Sequence, residues 1–195
     1  MRLKITGGHY KGRFIEAPKG NTTRPTSERL RQTFFDIIAP DIEDSTFVDV
    51  FSGSGAIAIE AHSRGAKQVY AIEHDRIVGK TILKNMQTLK INSGFTFLQC
   101  DYLKGLKVVA KKGGCDLGFF DPPYPKTMED LAQFNCLFEM IEKERVFKDG
   151  ARIFFELPSN MSQINLDPYP SLSIKNSRKL GSSLLMELSF EKAFS

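Results

Sequence analysis

The chain has 195 residues, 41% of them hydrophobic, and a formal charge of +4, which is enough for one domain of ordinary size that buries a core without disulfides or structural metals. Cys100, Cys115 and Cys136 are odd in number and lack C-x-x-C spacing, so they read as reduced and mostly buried thiols, a pattern that fits the cytoplasm. No stretch has the length of a bilayer span or of a signal-peptide core, so a soluble monomer without membrane contact is expected.

Charge is uneven along the chain. Residues 1–34 hold eight Lys or Arg against Glu16 and Glu28, a segment charge of +6 that leaves −2 for the remainder. A positive arm beside a near-neutral body suits a polyanionic partner, because each neutralised phosphate releases counterions. Residues 2–6 and 11–17 read as two short strands around the turn signal Gly7-Gly8, with Arg13 on the second. After the loop KGNTTRPT, Thr26 or Ser27 can cap a helix whose apolar residues Leu30, Phe34, Ile37 and Ile38 share one face, closed by Pro40. Arg24, Arg29 and Arg31 then fall near the exposed start of that helix.

From residue 46 the pattern changes to apolar runs alternating with amphipathic segments. The runs are 46–51, 67–73, 95–100, 115–121 and 151–157, and the helices between them are expected at 55–64, 75–90, 102–112 and 128–145. Such alternation implies a parallel sheet covered by helices on both faces. Residues 171–176 and 182–191 follow without a helix between them and read as a terminal antiparallel hairpin.

Ligands of such sheets bind beyond the carboxyl ends of the strands, where four features gather. The first strand runs into Asp49-Val50-Phe51-Ser52-Gly53-Ser54-Gly55, whose glycines permit a tight turn and close approach of a ligand. Glu73, twenty residues after Gly53, ends the second strand, where a carboxylate can accept both ribose hydroxyls of a nucleoside. Gly53, Gly55 and Ala58 also satisfy a dinucleotide pattern, which keeps a nicotinamide or flavin enzyme in view. Asp49 tilts against it, since a carboxylate facing the ligand would bind an ammonium and repel a pyrophosphate. Asp101 could accept from an adenine amino group or cap the helix from 102.

The fourth feature, Asp121-Pro122-Pro123-Tyr124, ends the apolar strand LGFF. A nucleobase amine is a poor nucleophile because its lone pair is delocalised into the ring. If the Asp121 carboxylate and the Pro122 carbonyl each accept an N–H, the nitrogen can be held with its lone pair toward an electrophilic methyl. Tyr124 offers a stacking face for the base. His9, His62 and His74 are scattered singly, so no metal constellation is expected.

VDVFSGSGA, AIEHD and FDPPY, in that order, resemble the cofactor loop, ribose acid and catalytic loop of class I amino-methyltransferases. ITGGHYKGR followed by RPTSERLRQTFFDII resembles the N-terminal part of the RsmD family, whose members make N2-methylguanine at one site in 16S ribosomal RNA. The resemblance weakens over 158–180. It implies an α/β, Rossmann-like fold, a seven-stranded mostly parallel sheet with an antiparallel final hairpin. Residues 1–40 would be a basic hairpin and helix packed on a methyltransferase domain of residues 41–195. It implies S-adenosyl-L-methionine as cofactor, with Asp49, Gly53 and Gly55 at its methionine part, Glu73 at its ribose and Asp101 at its adenine. Phe51, Tyr102 and Thr26 complete the expected cofactor-binding set. Asp121, Pro122, Pro123 and Tyr124 would hold the target guanine, and Arg13, Arg24, Arg29 and Arg31 would meet 16S rRNA or the assembling small ribosomal subunit. A DNA adenine-N6 or protein glutamine-N5 methyltransferase would share the catalytic loop, and a noncatalytic RNA-binding assembly factor would share the basic arm.

Overall fold

The computed structural model describes residues 1–18, 26–122, 128–161 and 164–192, with side chains except those of 128–133. Two short antiparallel strands, β1 (Arg2–Lys4) and β2 (Phe14–Glu16), open the chain. They are followed by α1 (Glu28–Ile38), which starts where the Leu30 amide donates to the Ser27 hydroxyl at 3.2 Å. Ser27 therefore fills one of the amide groups that a helix start leaves without a partner, and Thr26 is free for another contact.

The main sheet is built from β3 (Thr46–Val50), β4 (Gln68–Ile72), β5 (Phe95–Leu98), β6 (Cys115–Phe120), β7 (Phe147–Pro158), β8 (Leu172–Leu180) and β9 (Ser183–Phe190), in the order β5-β4-β3-β6-β7-β9-β8. The first five strands in that order run parallel, and β9 is antiparallel to both β7 and β8. The helices α2 (Ala56–Ser63), α3 (Arg76–Leu89), α4 (Tyr102–Lys111) and α5 (Met128–Glu144) connect the parallel strands. The chain winds outward from β3 through β4 and β5, then returns to β6 on the other side of β3. This reversal opens a crevice at the carboxyl ends of β3 and β6.

Alternation along each strand divides the core into two layers. Val48, Val50, Ile72, Phe120 and Phe155 pack with residues of α4 and α5. Phe47, Ala71, Phe119 and Phe154 face the other way, against α1 and α2. Phe34 of α1 anchors that second layer, with its ring 4.7 to 6.2 Å from those of Phe35, Phe47, Phe119 and Phe154; fully burying such a side chain is worth about 1.5–3 kcal/mol. A third cluster seats the hairpin through Ile5, Tyr10 and Ile15 on Ile59, Leu89 and Ile91.

Several expected boundaries move: β1 ends at Lys4, β2 spans only Phe14–Glu16 and β5 ends at Leu98. Strand β7 begins at Phe147 rather than 151, because Phe147 pairs with Cys115 across an irregularity in the ladder, and β8 continues to Leu180 rather than 176. Cys115 is buried, which pushes its thiol well above its ordinary value, but Cys136 is exposed, contrary to the expectation of mostly buried thiols. Among the described residues no helix is long and apolar enough to cross a membrane.

Candidate active site

The loop after β3 is held by contacts that its sequence supplies. Phe51 adopts a left-handed φ of +67°, Gly53 one of +54° and Gly55 one of +76°. Such a backbone costs a non-glycine residue strain, which concentrates at functional sites. A Cβ at Gly53 would meet only the Phe51 carbonyl, at 4.0 Å, so the space before it is open. The Gly53 amide donates to Glu73 Oε2 at 3.0 Å and the Asp75 amide to Glu73 Oε1 at 2.8 Å. The carboxylate expected to receive a ribose thus also fixes the glycine turn. Ionised carboxylates present about four acceptor positions, so both roles are compatible.

Asp49 is 2% exposed. Its Oδ2 accepts from the Ala58 amide at 3.1 Å, and because Gly55 has no side chain to cap α2, Asp49 performs that task from the strand below. Burial raises its carboxyl from 3.8 to about 7, against the opposing effect of its hydrogen bonds with Ala58 and Ser52. Asp101 is the N-cap of α4, accepting from the Leu103 amide at 2.9 Å through Oδ1, so capping the helix and the expected contact with an adenine through Oδ2 are compatible. The rings of Phe51 and Tyr102 lie 5.1 Å apart at the same end of the sheet.

Strand register places the acids together. Asp49 is paired with Ala71 on β4 and with Phe119 on β6, and Phe119 is paired with Phe154 on β7. Glu73, Asp121 and Glu156 each lie two residues beyond those partners, so all four carboxyls project from the α1 and α2 face at the carboxyl rim of the sheet. The Asp121 carboxyl is raised well above its ordinary value, first by burial, then by the negative charges of Glu156 and Asp49, with a Thr26 hydrogen bond opposing. Thr26 Oγ1 donates to Asp121 Oδ2 at 3.4 Å. The start of α1 is thereby brought onto the end of β6, a contact unreadable from a separation of 95 residues. Pro122 is buried; Pro123 and Tyr124, like Arg24, lie outside the described residues.

Arg31 is not at the surface. It is 2% exposed, and its Nε sits 3.1 Å from Glu60 Oε2 while its Nη2 donates to the Lys4 carbonyl at 2.6 Å. Glu60 also receives Arg64 at 2.9 Å and the Thr6 hydroxyl. This corrects the expectation that Arg31 meets RNA: α1 turns it inward, where it clamps the hairpin to α2. Arg13 and Arg29 are exposed, Arg13 donating to the Thr88 carbonyl at 3.2 Å. The residue that charge counting overlooked is Phe14, 53% exposed and paired with Lys4 across the hairpin, on the face that also carries Arg2. Among the described residues no group of His, Cys, Asp or Glu could hold a metal.

Comparison with known proteins agrees with this geometry. A family model described as conserved hypothetical protein 95 matches residues 3–188. The ribosomal RNA small subunit methyltransferase D of Escherichia coli K12 is 36% identical over 156 residues, covering 80% of this chain and 74% of that protein. The solved structure of the Escherichia coli protein yhhF superposes with a TM-score of 0.81 at 28% identity over 98% of this chain and 99% of the other. SMU.776, a structure complexed with SAH, has a TM-score of 0.62 at 11% identity, covering 81% of this chain and 48% of its own, and shares the fold alone. With the match running from the hairpin to the last strand, this chain belongs to the RsmD family of class I methyltransferases.

Proposed function

We propose that the protein methylates ribosomal RNA of the small subunit, transferring a methyl group from S-adenosyl-L-methionine to the exocyclic N2 of a guanine. The observation that carries this reading is Asp121, held by Thr26 at the rim of the crevice, on the same sheet face as Asp49 and Glu73. The residues present fit the cofactor. Four carboxyls at one rim favour a ligand bearing an ammonium and a sulfonium, the touching rings of Phe51 and Tyr102 offer an apolar surface for an adenine, and the open space at Gly53 admits close approach. Bound S-adenosyl-L-methionine would supply the electrophilic methyl group.

The chain's own residues position the nucleophile. Asp121 accepts one N2–H and the Pro122 carbonyl the other, so that the nitrogen lone pair turns out of the ring plane toward the methyl. The amine need not lose a proton beforehand, because its N–H becomes acidic only as the new N–C bond forms, and Asp121 Oδ1 or Oδ2 is placed to receive it. Arg2, Lys4 and Phe14 share one face of the hairpin, and with the exposed Arg13 and Arg29 they are the groups available for RNA phosphates and an unpaired base.

Mass mapping of methylated nucleosides in small-subunit RNA from cells lacking the protein should find one N2-methylguanine missing, restored by the wild-type chain. An unchanged modification map would sink the reading. Asp121→Ala should lower transfer at least about 10²-fold, the scale of losing one preorganised group, while calorimetry finds cofactor affinity within about threefold of wild type. Full activity in that variant would remove Asp121 from the chemistry.

A further inference from the structure

In the reading above Glu156 lends only its charge to the rim and has no contact of its own with the reacting groups, although it is 5% exposed beside Asp121. It follows Phe155 on β7 as Asp121 follows Phe120 on β6, and those two phenylalanines are register partners. Adjacent strands lie about 4.8 Å apart, so the two carboxyls are side-by-side neighbours on one face, with Glu156 longer by one carbon. Its Oε1 accepts from the Ser183 hydroxyl of β9 at 2.8 Å, which fixes the side chain from the flank away from Asp121. Residues 153–155 and 157 around it are hydrophobic, so the acid carries a desolvation cost that an apolar side chain there would not.

The edge of guanine explains what such an acid could do. On that edge N1–H and the N2 amine are adjacent donors, whereas adenine presents a bare N1 acceptor beside its amine. We infer that Glu156 is the residue that selects guanine, accepting the N1–H beside the N2 amine held by Asp121 and repelling any base whose N1 carries a lone pair. This rests on the N2-guanine reading above and adds its specificity determinant. Burial strengthens the discrimination, because an acceptor set against a lone pair in a water-poor site is repelled without screening, and sites built to hydrogen-bond a substrate N–H reject the analogue lacking it by up to about 10⁴-fold. Like charge between Glu156 and Asp121 is part of why the Asp121 carboxyl is raised, and two donors arriving on one base relieve that repulsion.

The test exchanges the hydrogen-bonding sense at N1. Once the methylated guanine is mapped with wild-type protein, the same RNA is assembled with 2-aminopurine at that position, which keeps the 2-amino group but presents N1 as an acceptor. Wild-type protein should favour guanine by at least about 10²-fold in kcat/KM. Glu156→Gln, whose amide can donate to a bare N1, should lose activity on guanine and gain it on 2-aminopurine, moving the ratio by about 10²-fold or more. Proportional loss on both RNAs would assign Glu156 to holding β9 through Ser183 and overturn the inference. So would wild-type protein that accepts both RNAs equally, a result that needs no variant to fold. If wild-type protein makes no N2-methylguanine on any RNA, the functional reading fails first; if it does and the base preference is absent, only the role of Glu156 falls.

Discussion

Burial leaves the Asp49 carboxyl at about 7, and this sets two pH dependences of opposite sign. The folded chain holds this proton more tightly than an unfolded one with the ordinary value of 3.8, so the group's contribution to stability falls as pH rises from 3.8 to about 7 and is constant above. A ligand ammonium favours the ionised form, so cofactor affinity should rise as pH climbs through about 7 and fall again above about 8, where an α-amino group itself loses its proton. Calorimetry between about pH 6 and about pH 8 checks the rise, with Asp49→Asn flattening the profile; a wild-type affinity independent of pH would place the ammonium elsewhere. That Asp49, Glu73 and Asp121 meet at one rim was legible because each lies in or directly after an apolar run that reads as a parallel strand. The places of Arg31 and Glu156 were not. A charge on a chain carries no sign of burial, and Arg31 becomes a core residue only because Glu60 arrives from another helix. Glu156 is hidden in sequence by the apolar run around it, and only the pairing of β7 with β6 sets it beside Asp121.

At the scale of elements, the joint between hairpin, α1 and α2 is ionic at its centre. Glu60 is fully buried and receives Arg31, Arg64 and Thr6, while Arg64 lies 4.7 Å over the Phe35 ring. Breaking such a pair from one side leaves an uncompensated buried charge. Glu60→Ala should therefore cost about 3–5 kcal/mol in urea denaturation, and Arg31→Met less, because Arg64 and Thr6 still satisfy Glu60. The reverse order would mean that Arg31 contributes through its packing alone. Helices and parallel strands were readable from period and alternation, since two covered faces force apolar runs on the strands and amphipathic faces on the helices. The start of β7 was not, because Lys148-Asp149-Gly150 reads as a turn, while only the partner strand reveals that Phe147 still pairs with Cys115.

The whole molecule is polarised, with cations gathered on the N-terminal segment and acids at the crevice. An RNA held by the hairpin side would have its backbone on Arg2, Lys4 and Arg13 and an unpaired base against Phe14. Binding should then weaken linearly with the logarithm of salt concentration, and Lys4→Ala should reduce that slope by about one. Phe14→Ala should instead weaken binding by about 1–3 kcal/mol with the slope unchanged, as loss of stacking does. Filter binding over a salt series separates the two, and an unaltered affinity in Phe14→Ala would take the ring out of the interface. The sheet carries a further consequence in its strand order. Strand β9 lies between β7 and β8, although it follows both in the chain. While the protein is being synthesised, β7 and β8 emerge without a mutual ladder to form, and β7 keeps an open edge until β9 is made. Glu156 likewise lacks its Ser183 partner until then. The rim beside Asp121 is thus completed only late in translation, and a chain cut short before Ser183 would leave Glu156 without that hydroxyl and β7 with a bare edge prone to pair with another chain.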